Sequence, residues 1–170
     1  VYVTGHPLDE YTGMWEKHVS ARSTDFLIDE ETGETKAADS TKQTIGGLVR
    51  NIKVNTTKTG QQMAYLTIED FVGSVEVILF PKAYEKNRRV LDMTNKVFIT
   101  GRVQANVGAE AKLIADGLVS FDSVPRRLWL RFDSLAQYEA CRDDLFDILN
   151  ESDGKDTVTI YCVAEKQRIA

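Results

Sequence analysis

Three apolar, alternating runs fill Ile45 to Phe80, IGGLVRNIKVNTTKTGQQMAYLTIEDFVGSVEVILF, and they leave few folds open to the chain. Beta-branched and aromatic residues dominate these runs. A basic, glycine-containing loop (Asn55 to Gln62) and a tight Phe71-Val72-Gly73 turn separate them. In the second run Ala64, Leu66 and Ile68 alternate with Met63, Tyr65 and Thr67. In the third, Val75, Val77 and Leu79 alternate with Glu76, Ile78 and Phe80. One set of each strand should fill a core and the other should face outward. Gly46-Gly47 sits near the start of the first strand, where a curved barrel needs a bulge or a close backbone approach. A helical segment follows from Pro81 to Met93, and its Ala83, Val90 and Leu91 can close one barrel end. Two more strand-like runs come next, Lys96 to Gln104 and Glu110 to Leu118. Three strands, a helix and two strands is the chain order of the OB-fold, a five-stranded Greek-key barrel. The predicted fold class is therefore mainly β.

The flanks read differently. Leu8, Tyr11, Trp15 and Val19 recur at helical spacing, and Pro7 suits a first helical turn. Ala21 to Gln43 is rich in Asp, Glu, Ser and Thr, which predicts a linker or long surface loop with Asp29-Glu30-Glu31 as a solvated charge run. Beyond Pro125, Leu128, Leu130 and Phe132 alternate with Trp129 and Arg131 as a strand. Ser134 can cap a helix running to about Asn150, with Leu135, Tyr138, Leu145, Phe146 and Leu149 as its apolar stripe. Ser152-Asp153-Gly154 ends that helix, and Val158, Ile160 and Cys162 alternate in a further strand. This small β-α-β unit, at roughly 45 residues, is too short to bury a large core alone. The predicted organisation is a helix plus acidic linker over 1–44, the barrel over 45–121 and a small α+β domain over 122–170.

Charge separates these parts. The chain carries a net −5. Residues 1–44 hold −5, residues 45–121 hold +3 and residues 122–170 hold −3. The barrel is thus the one basic segment of an acidic chain, which favours phosphate binding there and disfavours indiscriminate binding to polyanions. No apolar run approaches the ~18 residues that span a membrane. No charged and then apolar leader opens the chain, so a cytoplasmic location is expected. The first residue is Val1 and not Met, and the chain is expected to be a piece of a longer one. Cys141 and Cys162 stand apart, form no CxxC, and read as reduced, buried small hydrophobes.

Catalytic signatures are missing. His6 and His18 fit no zinc spacing, so no metal or cofactor is expected. There is no nucleophile elbow, phosphate loop or dinucleotide fingerprint. Glu69-Asp70 and Asp143-Asp144 are sequence neighbours, and neighbours on a strand point opposite ways. Binding residues are the better candidates. OB-folds take oligonucleotides on the outer face of strands two and three and on the loops between strands one and two and strands four and five. Cations serve phosphates there, and flat rings stack on bases. Arg50 and Lys53 lie along strand one. Lys58 sits at the tip of the first loop, where a cation and backbone amides could meet a phosphate, and Tyr65 projects outward from strand two. Arg102 and Lys112 flank the second loop. The plain alternative is that these are solubilising cations and one interstrand tyrosine. Asp143-Asp144-Leu145-Phe146 is similar to peptides that dock on sliding clamps, but Arg142 stands where those begin with Gln, and a core role for Leu145 and Phe146 is the preferred reading.

Three motifs together resemble the C-terminal region of the alpha subunit of bacterial DNA polymerase III. They are Thr4 to Tyr11 (TGHPLDEY), Lys58 to Asp70 (KTGQQMAYLTIED) and Gly73 to Pro81 (GSVEVILFP), with Gly101-Arg102-Val103 matching the fourth strand. The resemblance covers residues 1–121 well and 122–170 only by the order of elements. It implies that the active site of a DNA-directed DNA polymerase lies upstream and outside this chain, so that this fragment is not an enzyme. It further implies that the barrel contacts single-stranded template DNA, and that the tail is the part that would dock the clamp-loader tau subunit. The family's clamp-binding peptide would precede this chain, which leaves the sliding clamp as a partner of the parent protein. Two other readings stay open: a barrel that serves as a protein-interaction or spacer module without DNA, and an RNA-binding OB domain of the anticodon type.

Overall fold

A computed structural model describes residues 5–125, 127–152, 154 and 156–169. Thr4 and Asp153, named above, lie outside them. The chain divides into two compact units, Val1–Ser123 and Val124–Ala170.

The first unit is a closed five-stranded barrel. Its strands are β1 (Lys42–Thr56), β2 (Gln62–Glu69), β3 (Ser74–Leu79), β4 (Lys96–Gln104) and β5 (Lys112–Ser120), in the spatial order β1-β2-β3-β5-β4. All pairs are antiparallel except β3 with β5, which is parallel. The fold is that of the OB barrel. Alternation behaves as the sequence predicts in β2 and β3, where Ala64, Leu66, Ile68, Val75, Val77 and Leu79 are buried in the core. Two strands are displaced from their predicted bounds: β1 starts three residues before Ile45, and β5 runs from Lys112 to Ser120 where Glu110 to Leu118 is predicted. Between β3 and β4, α2 (Pro81–Met93) starts with Pro81 in its first turn, where a missing N–H costs nothing. Ala83, Val90 and Leu91 pack on the barrel core as expected. Buried Asn87 fixes the helix in place. Its amide donates to the Ala83 carbonyl at 2.7 Å, and its Oδ1 accepts from the Leu118 N–H at 3.0 Å.

The N-terminal helix is shorter than its spacing predicts. A 3-10 turn at Asp9–Tyr11 leads into α1 (Thr12–His18), and Val19 is already extended. Its anchor is Trp15, buried with its indole N–H donating to the Gly46 carbonyl at 2.6 Å and its ring edge-on to Phe71 at 5.0 Å. This is the close approach that Gly46-Gly47 signals. A Cβ on Gly46 would lie 2.6 Å from the Phe98 ring and 3.0 Å from Trp15, and one on Gly47 would run into the Glu69 carbonyl.

Residues 21–43 are not a free linker. A 3-10 turn at Ser23–Phe26 buries Phe26, and Ala21 and Ala37 join it in the barrel core. Asp70 supplies the tie: its carboxylate accepts from the Ser23 N–H and Oγ at 2.7 Å each, and from the Val72 and Gly73 N–H groups at 2.9 and 3.0 Å. Further along, the Ala111 N–H donates to the Phe26 carbonyl and the Ala105 N–H to the Asp39 carboxylate. Few apolar residues are needed, because hydrogen bonds hold this strap to the barrel.

The second unit holds β6 (Arg127–Phe132), α3 (Leu135–Asn150), β7 (Thr157–Cys162) and β8 (Gln167–Ile169). β6 and β7 are parallel, as a β-α-β unit requires, and β8 adds antiparallel to β7. The Ser134 hydroxyl accepts from the Gln137 N–H at 3.3 Å and caps α3. Tyr138, Ile160 and Cys162 form a small core with Leu130, Phe132, Leu135 and Leu145 around it. Two expectations fail here. Phe146 is 48% exposed and not in the stripe, and Cys141 is only half-buried. No described helix is long and apolar enough to cross a membrane.

Candidate nucleic-acid interface

Cross-strand neighbours share a face of the sheet, and one outer-face row runs round the whole barrel. Lys53 lies opposite Tyr65, Tyr65 opposite Ile78, Ile78 opposite Ile114, Ile114 opposite Arg102, and Arg102 opposite Lys42. Cations stand at both ends, and a ring and two isoleucines form the floor between them. Ile78 is 8% exposed, while Tyr65 and Ile114 are half-buried. Beside the row lies a shallow depression of about 440 Å³, lined by Asn51, Lys53, Asn55, Tyr65, Thr67 and Glu76. Four of the six proposed residues therefore fall on or beside one row: Lys53, Tyr65 and Arg102 directly, and Lys112 two residues before Ile114.

A bulge in β1 makes this possible. Before it, even-numbered residues pair outward, as Lys42 does with Arg102 and Gly46 with Phe98. The register shifts between Val49 and Asn51, and beyond it the odd-numbered Asn51, Lys53 and Asn55 face outward with Thr67, Tyr65 and Met63. One extra residue on one strand reverses which side chains point out. That residue is Arg50.

Arg50 itself is engaged. Its guanidinium donates to both oxygens of Glu69, from Nε at 3.0 Å and Nη2 at 2.6 Å. These hydrogen bonds lower the Glu69 carboxyl below its ordinary range and raise the guanidinium further. Lys112 is engaged too, with its Nζ 2.9 Å from Glu76. Both pairs are exposed and contribute little to stability, yet each cancels a charge that a phosphate would need. Lys53, Lys58 and Arg102 have no ion-pair partner among the described residues.

Lys58 lies beyond the row, at the tip of the β1–β2 hairpin. That loop is closed on itself: the Thr57 N–H donates to the Gln61 carbonyl at 2.8 Å and the Gly60 N–H to the Thr57 carbonyl at 2.9 Å. The Gln61 N–H donates to the Thr57 hydroxyl at 3.2 Å. Gly60 takes φ +80°, which a side chain would resist. These three amides are therefore committed to the turn, and the phosphate cradle anticipated there reduces to the Lys58 ammonium. The opposite loop, between β4 and β5, carries no cation. Residues 26–41 back it, and their Asp29, Glu30, Glu31 and Glu34 are exposed.

Ile78, Ile114, Lys42 and Asn51 were not singled out in the sequence. Alternation marks Ile78 as outward, but Lys42 lies in the acidic segment ahead of the predicted first strand. Among the described residues no three potential metal ligands converge.

Residues 43–120, from the start of β1 to the end of β5, match the family described as OB-fold nucleic acid binding domain. The barrel is thus an OB-fold nucleic-acid-binding domain. More particularly, it is homologous to a region of the alpha subunit of DNA polymerase III. The Pseudomonas aeruginosa subunit is 33% identical over 61% of this chain and 8% of its own length. That of Pseudomonas fluorescens is 28% identical over 88% of this chain and 10% of its own length. That of Bacillus subtilis is 25% identical over 99% of this chain and 15% of its own length. The chain therefore spans a small part of these relatives. Among solved structures, asparaginyl-tRNA synthetase from Pyrococcus horikoshii aligns at 18% identity with a TM-score of 0.37, covering 52% of this chain and 22% of that one.

Proposed function

We propose that the face built on Lys53, Tyr65, Ile78, Ile114 and Arg102 holds single-stranded DNA, and that this chain is a non-catalytic part of a replicative polymerase subunit. The row of cross-strand pairs carries the reading, because unpaired cations flank an aromatic and aliphatic floor. Bases stack on the Tyr65 ring while Lys53, Lys58 and Arg102 meet the phosphates. The relatives point to template DNA near a polymerase as the ligand, and hence to the cytoplasm. Affinity is modest and falls with salt, since few phosphates are neutralised. Fluorescence anisotropy with labelled oligo-dT tests this. Binding at low salt that is lost in a Lys58→Ala, Tyr65→Ala double variant supports it. An absence of binding, or a double variant that binds like the wild type, removes it.

A second reading has its own observation. Phe146 and Ile148 on α3 are exposed at 48% and 66%, and Leu128 and Trp129 on β6 at 49% and 47%. Exposed apolar groups on so small a unit favour a protein contact. The clamp-loader tau subunit and the sliding clamp are the partners that the resemblance implies. A pull-down that retains clamp-loader subunits, with no shift of an oligonucleotide, would select a protein-docking role over DNA binding.

A further inference from the structure

The barrel's positive charge lies mainly away from the face described above. Lys82, Lys86, Arg88 and Arg89 on α2 are all exposed and have no ion-pair partner among the described residues, against Glu85 and Asp92 on the same helix. Lys82, Lys86 and Arg89 stand four and three residues apart and so share one helix face. Between α2 and the β1–β2 hairpin runs a groove of about 310 Å³, lined by Gln61, Gln62, Pro81, Tyr84, Glu85 and Arg88. The half-buried Tyr84 offers a ring, Gln61 and Gln62 offer amides, and Arg88 offers a planar guanidinium suited to phosphate. Lys58 lies at the tip of that hairpin, whose β1 and β2 arms carry Lys53 and Tyr65 of the barrel face.

The two ways off the face are electrostatically unequal. Toward the β4–β5 loop a strand meets the exposed carboxylates of Asp29, Glu30, Glu31 and Glu34. Toward the hairpin it meets Lys58 and then Arg88 on the groove wall, with Lys82, Lys86 and Arg89 on the neighbouring face of α2. We infer that single-stranded nucleic acid leaving the barrel face crosses the β1–β2 hairpin and occupies the groove between that hairpin and α2. There Arg88 takes a phosphate, and Gln61, Gln62 and Tyr84 take a base. This rests on the proposed role of the barrel face and extends it to a second subsite. Glu85 on the groove wall repels phosphate but accepts from base amino groups, so bases with such groups should sit there best.

The test compares oligo-dC, whose bases carry an amino group, at about 6 and about 18 nucleotides, the shorter near the lower end of OB-fold site sizes. Side-chain amide resonances of Gln61 and Gln62 are followed by NMR on the whole 170-residue chain. The longer oligonucleotide should shift both amides and the shorter should not. Arg88→Ala should weaken binding of the longer one several-fold and reduce its log–log salt slope by about 0.7, the share of one single-strand phosphate, while leaving the shorter one unchanged. Gln61 and Gln62 amides that ignore the longer oligonucleotide while it binds would overturn the subsite and leave the face intact. Failure of both lengths to bind would overturn both. An Arg88→Ala loss equal for the two lengths would also overturn the subsite, since a general field acts on any bound phosphate.

Discussion

β1 is one strand with two lives, and Arg50 divides them. From Ile45 to Leu48 every residue is buried, because the barrel core lies on one side and the Trp15 helix on the other. From Asn51 to Thr56 every residue is exposed, because β1 here pairs, among the described strands, only with β2. Even Ile52 and Val54, paired with buried Leu66 and Ala64, are 42% exposed each. The first half is spent on stability, and the second, which carries part of the proposed face, is left exposed. Substitutions in the two halves should therefore separate cleanly.

The largest effect belongs to the buried half. Trp15→Ala removes an indole packed over Gly46 and should cost about 3–5 kcal/mol, read by urea denaturation, with little change in DNA affinity per folded molecule. Gly47→Ala pushes a methyl group toward the Glu69 carbonyl and should cost about 1–3 kcal/mol. A loss of affinity in either variant that exceeds its loss of folded protein would blur the division. In the open half, Tyr65→Ala should cost about 1–3 kcal/mol of binding to oligo-dT, the worth of one stacked base, at an unchanged denaturation midpoint. Smaller again is the Arg50–Glu69 pair. Glu69→Gln releases a guanidinium and should tighten DNA binding about two-fold, roughly 0.4 kcal/mol. Arg50→Ala should leave binding nearly unchanged, because its charge is already spoken for. A strong loss on Arg50→Ala would show that DNA displaces Glu69.

How far the sequence foretold this depends on whether a signal is local. β2, β3 and α2 were legible because the apolar residues that alternate or recur in the sequence are the ones that pack into the core. The outward placement of Tyr65 follows from Leu66 pointing in. The parity switch at Arg50 was not legible, since a bulge inserts no special residue type. The Gly46-Gly47 pair, three to four residues upstream, is the more obvious place for one in the sequence. The strap over residues 21–43 hid because Phe26 and Ala37 are isolated apolar residues in a polar run, and their contacts are with segments far along the chain. β8 has three residues, too few to show a period. For the site, residue types were readable but pairing was not. Nothing in the sequence says that Glu69 reaches Arg50 or that Glu76 reaches Lys112.

The seam between β3 and β5 is the narrowest in the barrel. It rests on two register pairs, Val77 with Leu113 and Ile78 with Ile114, where other neighbours share six or more. Glu76 and Lys112 clasp it from outside. If the barrel breathes, it opens there, and the proposed row of Tyr65, Ile78, Ile114 and Arg102 straddles that very line. A strand of DNA laid across the row would then act as a suture. Its binding would slow amide hydrogen exchange in β3 and β5 more than in β2, so that occupancy of the face is reported by the rate at which the barrel wall comes undone.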